Sequence, residues 1–411
     1  MVLPPAFQAI VTASLAIWLT AKKGWRVVLN PDNLKLSNTT FRLFQVLLVG
    51  LLISSGFHIV NLSAELITSP NAGFKTIVKH GRLIGKQGVW GMFIVVSFQY
   101  AYLRHWRPAK FARFFAVFLA CLAAYMTLQR YWGLDWVHGF SATLPDHRFA
   151  YGVYRSSGFM AHPLTLAFSC MLVVLLSFGL GVLFRQKPEA KWWFSSSLMA
   201  FLCLVLTGSR FPIVVTILLL GTYALHALAK AHKIYSVLFL LVLVGVGVWG
   251  IGHRSAELLD DSRSWTERVP RLVFWDVHWQ MFQDHPVLGV GYTQKKIKAT
   301  EYYEKMGYES LERKYSAHNI YLQTLADSGI VGLLSIITIF SSLGLVGIQI
   351  LRKWKSPLLG IIVTSTFLAG MMQNILRDSE FLTALWVSLA ICLVIIRESP
   401  VARNQIENFE P

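Results

Sequence analysis

About eleven apolar runs, each long enough or nearly long enough to cross a bilayer, divide this chain. They lie near 5–20, 41–61, 88–103, 111–128, 161–184, 193–208, 211–229, 234–252, 329–351, 357–376 and 381–397. Few folds are open to such a chain, because in lipid every backbone polar group must be satisfied within the protein. Several runs fall short of the ~20 residues of an ideal crossing, so their ends are soft and a twelfth crossing fits in the N-terminal third. Only 14% of residues are charged and 55% are hydrophobic, with a mean hydropathy of +0.51. A soluble domain carries about 25% charged residues. The expected fold is all-α, a polytopic integral membrane protein with about 11–12 transmembrane helices.

The short loops fix the expected orientation. Lys22/Lys23/Arg26, Arg104/Arg107/Lys110/Arg113, Arg185/Lys187/Lys191, Lys230/Lys233 and Arg352/Lys353/Lys355 alternate with the other loops and fall on one side. Basic loops mark the cytoplasm. The opposite, outer side then receives 62–87, 129–160, the turn Gly208–Arg210, the long loop 253–316, and Arg377–Glu380. The organisation reads as N-terminal transmembrane helices over 1–252, the large outer loop 253–316, C-terminal transmembrane helices over 317–397, and a cytoplasmic tail, 398–411. The net charge of +17 belongs to these basic loops, and no nucleic-acid partner is needed to account for it. Cys121, Cys170, Cys203 and Cys392 all fall in apolar runs without a C-x-x-C pair, and read as small buried hydrophobes. The N-terminus lacks a basic region followed by a small-residue cleavage site, so no removed signal peptide is expected.

Loop 253–316 is long and aromatic, with Trp265, Trp275, Trp279, Tyr292, Tyr302, Tyr303, Tyr308 and Tyr315. Apolar periodicity predicts a helix over Val273–Phe282, followed by a turn, Asp284-His-Pro-Val-Leu-Gly-Val-Gly291. Long ordered loops tend to be functional. Aromatics among polar groups suit sugar rings, and interfacial anchoring accounts for them equally well.

The stretch Ser316–Gly332 places His318 and Asn319 where that loop enters an apolar segment. If Ser316 caps the helix, His318 sits at its second position, where the positive helix end disfavours imidazolium and leaves a neutral general base. An interfacial histidine bonded to water or backbone is the plain alternative. Arg210, in Thr207-Gly-Ser-Arg-Phe-Pro212, lies in a short turn between apolar segments, where a charge has a partner or a role, or snorkels to headgroups. A guanidinium there grips phosphate through its planar fork. Arg271, Arg155, His162 and Arg377 are further outward-facing candidates, each alone indistinguishable from a surface residue. Lys75, Lys79, Arg82 and Lys86 are spaced 4, 3 and 4 along one helix face. They suit either anionic lipid headgroups or recruitment of an anionic lipid-linked substrate. No acids show metal-site spacing with a histidine, and there is no P-loop or G-x-S-x-G. Neither a metal nor any other cofactor is expected.

Taken together, these residues resemble the O-antigen ligase/polymerase family of bacterial envelope enzymes. The pattern H-[N/S/Q]-x9-G-x-x-[G/T/Y] reads here as His318, Asn319, nine residues, Gly329, two residues, Gly332. T-G-S-R at 207–210 and the R-L-x-x-W…P-x-x-G-x-G run from Arg271 to Gly291 accompany it. The resemblance covers roughly residues 150–395. It implies a glycosyltransferase C-class-like fold with a cavity open to the periplasm of the inner membrane. The implied donor is an undecaprenyl-pyrophosphate-linked glycan, and the implied acceptor is the outer core sugar of lipid A–core, with metal-independent inverting transfer. His318 would be the base, Arg210 and Arg271 would hold the donor pyrophosphate, and Asn319 would orient the histidine or a sugar. Arg155, His162 and Arg377 would line the site. The modest loop looks more like a lipopolysaccharide O-antigen ligase than a protein O-glycosylating relative, and the ligase is preferred to an O-antigen polymerase, which shares the donor but takes another lipid-linked glycan as acceptor. A lipid-linked oligosaccharide transporter is the rival from another class, although such proteins place ionisable residues at mid-membrane and show repeated halves.

Overall fold

The computed structural model describes residues 38–68, 73–89, 108–137, 149–150, 153–228, 270–308, 316–354 and 356–395. The expected crossings near 5–20 and 234–252, nearly all of 88–103, and both ends of loop 253–316 lie outside these residues. In chain order the helices are α1 (Asn38–Thr68), α2 (Phe74–Ile84, continuing as a π-turn, Gly85–Val89), α3 (Pro108–Trp132), α4 (Pro163–Leu183), α5 (Ala190–Leu206), α6 (Arg210–Leu228), α7 (Pro270–Asp284), α8 (Lys295–Lys305), α9 (Ile320–Trp354), α10 (Leu358–Gly370) and α11 (Ser379–Ile395). A two-residue antiparallel pair, Phe149–Ala150 with Val153–Tyr154, is the only extended structure among the described residues.

Four helices, Gln45–Thr68, Ala109–Trp132, Pro163–Leu183 and Ile320–Arg352, are long and apolar enough to cross a membrane, and α5, α6, α10 and α11 are shorter apolar helices. This is a polytopic, helical membrane protein. α4 is the most buried, with 78% of its apolar window inside, and α5, α6, α10 and α11 pack around it. The outward positions are also apolar, as at Leu52, Leu198 and Ile337, which suits lipid rather than water. Small residues set the helix spacing. At Gly50 of α1 an added Cβ would lie 1.8 Å from Ser342 Oγ of α9. Cys170, Cys203 and Cys392 are buried as expected, but Cys121 is exposed, because the outer face of α3 carries it.

Hydropathy takes 329–351 as one crossing entered directly from the motif. The chain instead turns back on itself at Gly329, whose φ of 61° and ψ of −160° interrupt α9. The ring of Tyr321 lies 6.3 Å from that of Phe340, although a straight helix would set residues nineteen apart roughly 28 Å from each other. α9 is therefore a short helix, 320–328, folded back along a long one. The turn after α7 closes over this break. Val290 N and Gly291 N donate to Ala326 O and Asp327 O, and Ile330 N and Val331 N donate to Pro286 O and Val287 O. Backbone groups freed by the kink are thus satisfied by the loop. The fit requires glycine on both sides. A Cβ at Gly329 would lie 2.2 Å from Val287 O, and one at Gly289 would lie 2.3 Å from Ser328 N. The helix expected over Val273–Phe282 is present, extended to Pro270–Asp284, and its apolar face (Val273, Phe274, Val277, Met281) packs on Ala326 and α8.

Candidate active site

The fold-back brings His318 to the segment that joins α10 to α11. Asn319 caps α9, its Oδ1 accepting from Tyr321 N at 3.0 Å and Leu322 N at 3.1 Å. This corrects the expected cap at Ser316 and places His318 just outside the helix rather than in its first turn. The Ser316 hydroxyl instead accepts from His318 N at 3.2 Å and from Asn374 Nδ2 at 2.7 Å. His318 is the one non-glycine residue with positive φ, 49°, among the described residues. Histidine tolerates that conformation better than most side chains, and strain of this kind gathers at functional sites. The backbone is held on both sides: Ala317 N donates to Gln323 Oε1 at 2.8 Å, and Trp275 Nε1 donates to Ala317 O at 2.9 Å.

The imidazole meets Gln373 and Phe274. Its Nδ1 lies 2.7 Å from Gln373 Oε1, and its ring centroid is 6.2 Å from that of Phe274. An amide oxygen only accepts, so Nδ1 carries the proton and Nε2 is the basic nitrogen. The part expected of Asn319, orienting the histidine, falls to Gln373. Arg271, one turn before Trp275 on α7, places Nη1 3.4 Å from the Met372 sulfur, so His318 and Arg271 meet adjacent residues of one loop.

From there a polar chain runs along the short helix. Asn374 Nδ2 is 3.3 Å from Gln323 Oε1, and Gln323 Nε2 donates to Asp327 Oδ1 at 2.9 Å. Asp327 Oδ2 receives Arg377 Nη1 at 2.5 Å and has Lys295 Nζ at 3.9 Å. Asp327 is fully buried, and an ion pair there holds together only while both partners remain. The two cations also face the Tyr292 ring, Arg377 Cζ at 4.9 Å and Lys295 Nζ at 4.8 Å from its centroid. Burial, reinforced by the charges of Arg377 and Lys79, lowers the Lys295 pKa to about 8.

The other expected residues gather at a second corner of the same end of the bundle. Arg155 donates to Thr207 O at 3.1 Å and to Ser209 Oγ at 2.7 Å, bracing the turn from which exposed Arg210 opens α6. Arg130 donates to Leu206 O beside it. His162 caps α4, its Nδ1 accepting from Leu164 N at 3.1 Å. Several contacts join the corners, among them Ala161 N donating to Glu380 Oε2 at 3.2 Å. Thr165 Oγ1 donates to Asp378 Oδ2, and the ring of Phe211 approaches Phe168 at 6.4 Å, which approaches Phe381 at 6.5 Å. Lys75, Lys79 and Arg82 are exposed on α2, and the adjoining face of that helix buries Thr76, His80 and Leu83. Sequence reasoning missed Gln373, Asn374, Gln323, Asp327 and Lys295. Asp327 alone carried a readable signal, an acid within an apolar stretch.

One end of this polytopic helical bundle thus carries a polar cluster around His318, Gln373 and Asp327, with Arg271 on the adjacent Met372 and Arg377 on Asp327. Residues 194–337 match the model of the O-antigen ligase family, and the match supports membership of that family. The matched stretch contains Arg210, Arg271, His318, Gly329 and Gly332, whereas Gln373 and Arg377 lie beyond it. Membership implies a membrane glycosyltransferase-like enzyme of O-antigen processing. No curated protein matches the chain.

Proposed function

We propose that this protein is an O-antigen ligase. It transfers a glycan from undecaprenyl pyrophosphate to the outer core sugar of lipid A–core at the periplasmic face of the inner membrane. One observation carries the reading: His318 is held with Nδ1 on Gln373 and Nε2 as its basic nitrogen, while Arg271 engages the neighbouring Met372. Nε2 takes the proton of the acceptor hydroxyl as its oxygen attacks the anomeric carbon, and the glycan–pyrophosphate bond breaks on the opposite face, inverting the configuration. Arg210 and Arg271 hold the pyrophosphate and offset the charge that grows on it. Pyrophosphate is a good leaving group, so positioning and one proton acceptor suffice, without a metal. Arg155 holds the turn that presents Arg210, and Arg377 sets the segment that carries Gln373. Lys75, Lys79 and Arg82 form a basic outer face that gathers anionic lipid-linked substrate.

The test is transfer in detergent with EDTA present, using purified protein, lipid A–core and the lipid-linked donor. Wild type is expected to form product, and His318→Ala and Arg210→Ala are expected to lose at least about 100-fold while staying folded. Elongation of the donor without lipid A–core would make the protein a polymerase instead.

A further inference from the structure

Two cations share the buried carboxylate of Asp327, and most of their donors are left idle. Arg377 Nη1 takes Asp327 Oδ2, and Lys295 Nζ stops 3.9 Å from the same oxygen, beyond hydrogen-bond reach. Among the described residues the Lys295 ammonium makes no hydrogen bond, and Arg377 Nε and Nη2 have no acceptor. Water reaches them only in part, with 32% of the Lys295 side chain and 12% of the Arg377 side chain exposed. Charged donors withheld from water are costly until an acceptor meets them. The Tyr292 ring attracts both cations, but its face offers them no oxygen.

The surroundings add positive charge and no spare acid. The ring of His80 stands edge-on to Tyr292, 5.4 Å between centroids, which brings the adjacent Lys79 of α2 to this corner. Its charge is close enough to oppose the Lys295 ammonium. Glu65, beside the same turn, is already engaged by His80 Nε2 at 3.0 Å and Thr293 N at 3.1 Å. Lys295, Arg377 and Lys79 against Asp327 alone leave a surplus of positive charge. Surplus cations with idle N–H donors, one of them a planar fork, match an anion that presents several oxygens. Asp327 lies nine residues from His318, roughly 13 Å along a helix, so an anion here stands apart from the imidazole.

We propose that Lys295, Arg377 and Lys79 form an anion site that takes a phosphate group, carried by a lipid headgroup or by a glycan. The proposal goes beyond glycosyl transfer and does not rest on it. The test is acetylation near pH 8 of the whole protein in a nonionic detergent, resolved lysine by lysine by mass spectrometry. Lys295 gives up its proton near that pH and so reacts ahead of ordinary lysines, whereas a bound anion holds the proton and covers the nitrogen. Saturating inorganic phosphate, at constant ionic strength, is expected to slow Lys295 about ten-fold and Lys296 and Lys298 less than about two-fold. Arg377→Gln is expected to abolish the protection. Lys79→Ala, at an exposed position that folding does not depend on, is expected to raise the phosphate concentration for half protection about three-fold. Protection of Lys295 no greater than that of its neighbours, or unchanged in Lys79→Ala, overturns the proposal. Nanodiscs then assign the source. Protection on adding phosphatidylglycerol to phosphatidylcholine discs marks a lipid headgroup, whereas protection by inorganic phosphate alone marks a phosphate that arrives from water on a glycan. A wild type that transfers glycan without protection of Lys295 would sink the anion site and leave the ligase reading standing, and protection without transfer would do the reverse.

Discussion

Gln373 Oε1 accepts the hydrogen bond of His318 Nδ1 at 2.7 Å, and this contact decides which ring nitrogen is basic. Gln373→Leu is expected to lower kcat for transfer by about 10- to 100-fold with little change in KM, the range seen when partners that orient an imidazole are removed. Gln373→Glu is expected to keep the orientation and to stabilise imidazolium, moving the acidic limb of the kcat–pH profile to higher pH. Equal loss in both variants with no movement of the limb would mean that Gln373 supports the loop and not the ring.

Asp327 holds Arg377 at 2.5 Å in a buried setting. Asp327→Asn should destabilise the protein by on the order of 3 kcal/mol, because it leaves two cations beside Tyr292 without their carboxylate. Adding Arg377→Gln should restore part of that loss. Reversible unfolding in micelles of both single variants and the double variant measures the coupling, and strict additivity would contradict it.

Lys295 gives the protein a pH-dependent stability of definite sign. Its folded pKa, about 8, lies below the ordinary 10.5, because burial and the charges of Arg377 and Lys79 oppose the ammonium. Between these values the unfolded chain binds the extra proton, so stability rises with pH across roughly 8 to 10.5. Thermal melts over that range should show the rise in wild type and a flatter curve in Lys295→Met, which keeps the apolar stem.

Glycines offer a paired comparison. Gly329→Ala would force a Cβ to 2.2 Å from Val287 O at a φ and ψ essentially reserved for glycine, and little folded protein should be recovered. Gly81→Ala, in open space on α2, should stabilise that helix by about 0.5–1 kcal/mol. Folded yield by size exclusion and the melting temperature report both outcomes.

These cases also show what the sequence could convey. The apolar runs located α1, α3, α4, α5, α10 and α11 well, because burial in lipid or protein demands the same composition. Hydropathy does not register direction, so the reversal at Gly329 was hidden within residues that are apolar on both sides of it. The glycines of the two motifs were visible as a pattern, but the task of Gly289 and Gly329, allowing backbone to lie on backbone, needed the three-dimensional contact. His318 was legible because a titratable ring at a membrane surface is conspicuous, whereas Arg271, alone an ordinary surface arginine, was singled out by the family resemblance. Gln373 and Asn374 were not, since uncharged amides in a short interhelical loop carry no period and no charge. Ser54, His58, Asn61 and Glu65, buried along one face of α1, could have been read from their 4-3-4 spacing.

The reversal at Gly329 also sets an order of assembly. The turn at 286–291 leaves the ribosome before the glycine on which it closes, so the hairpin can shut as soon as α9 is made. Gln373 and Arg377 are synthesised later, on the connection between the last two described helices. A nascent chain that ends before residue 371 therefore holds the whole histidine motif and still lacks the amide that fixes its proton. On the proposed function, the imidazole is oriented for proton transfer only when the C-terminal pair of helices has been inserted, and a prematurely terminated chain would hold the motif in the membrane without its orienting partner.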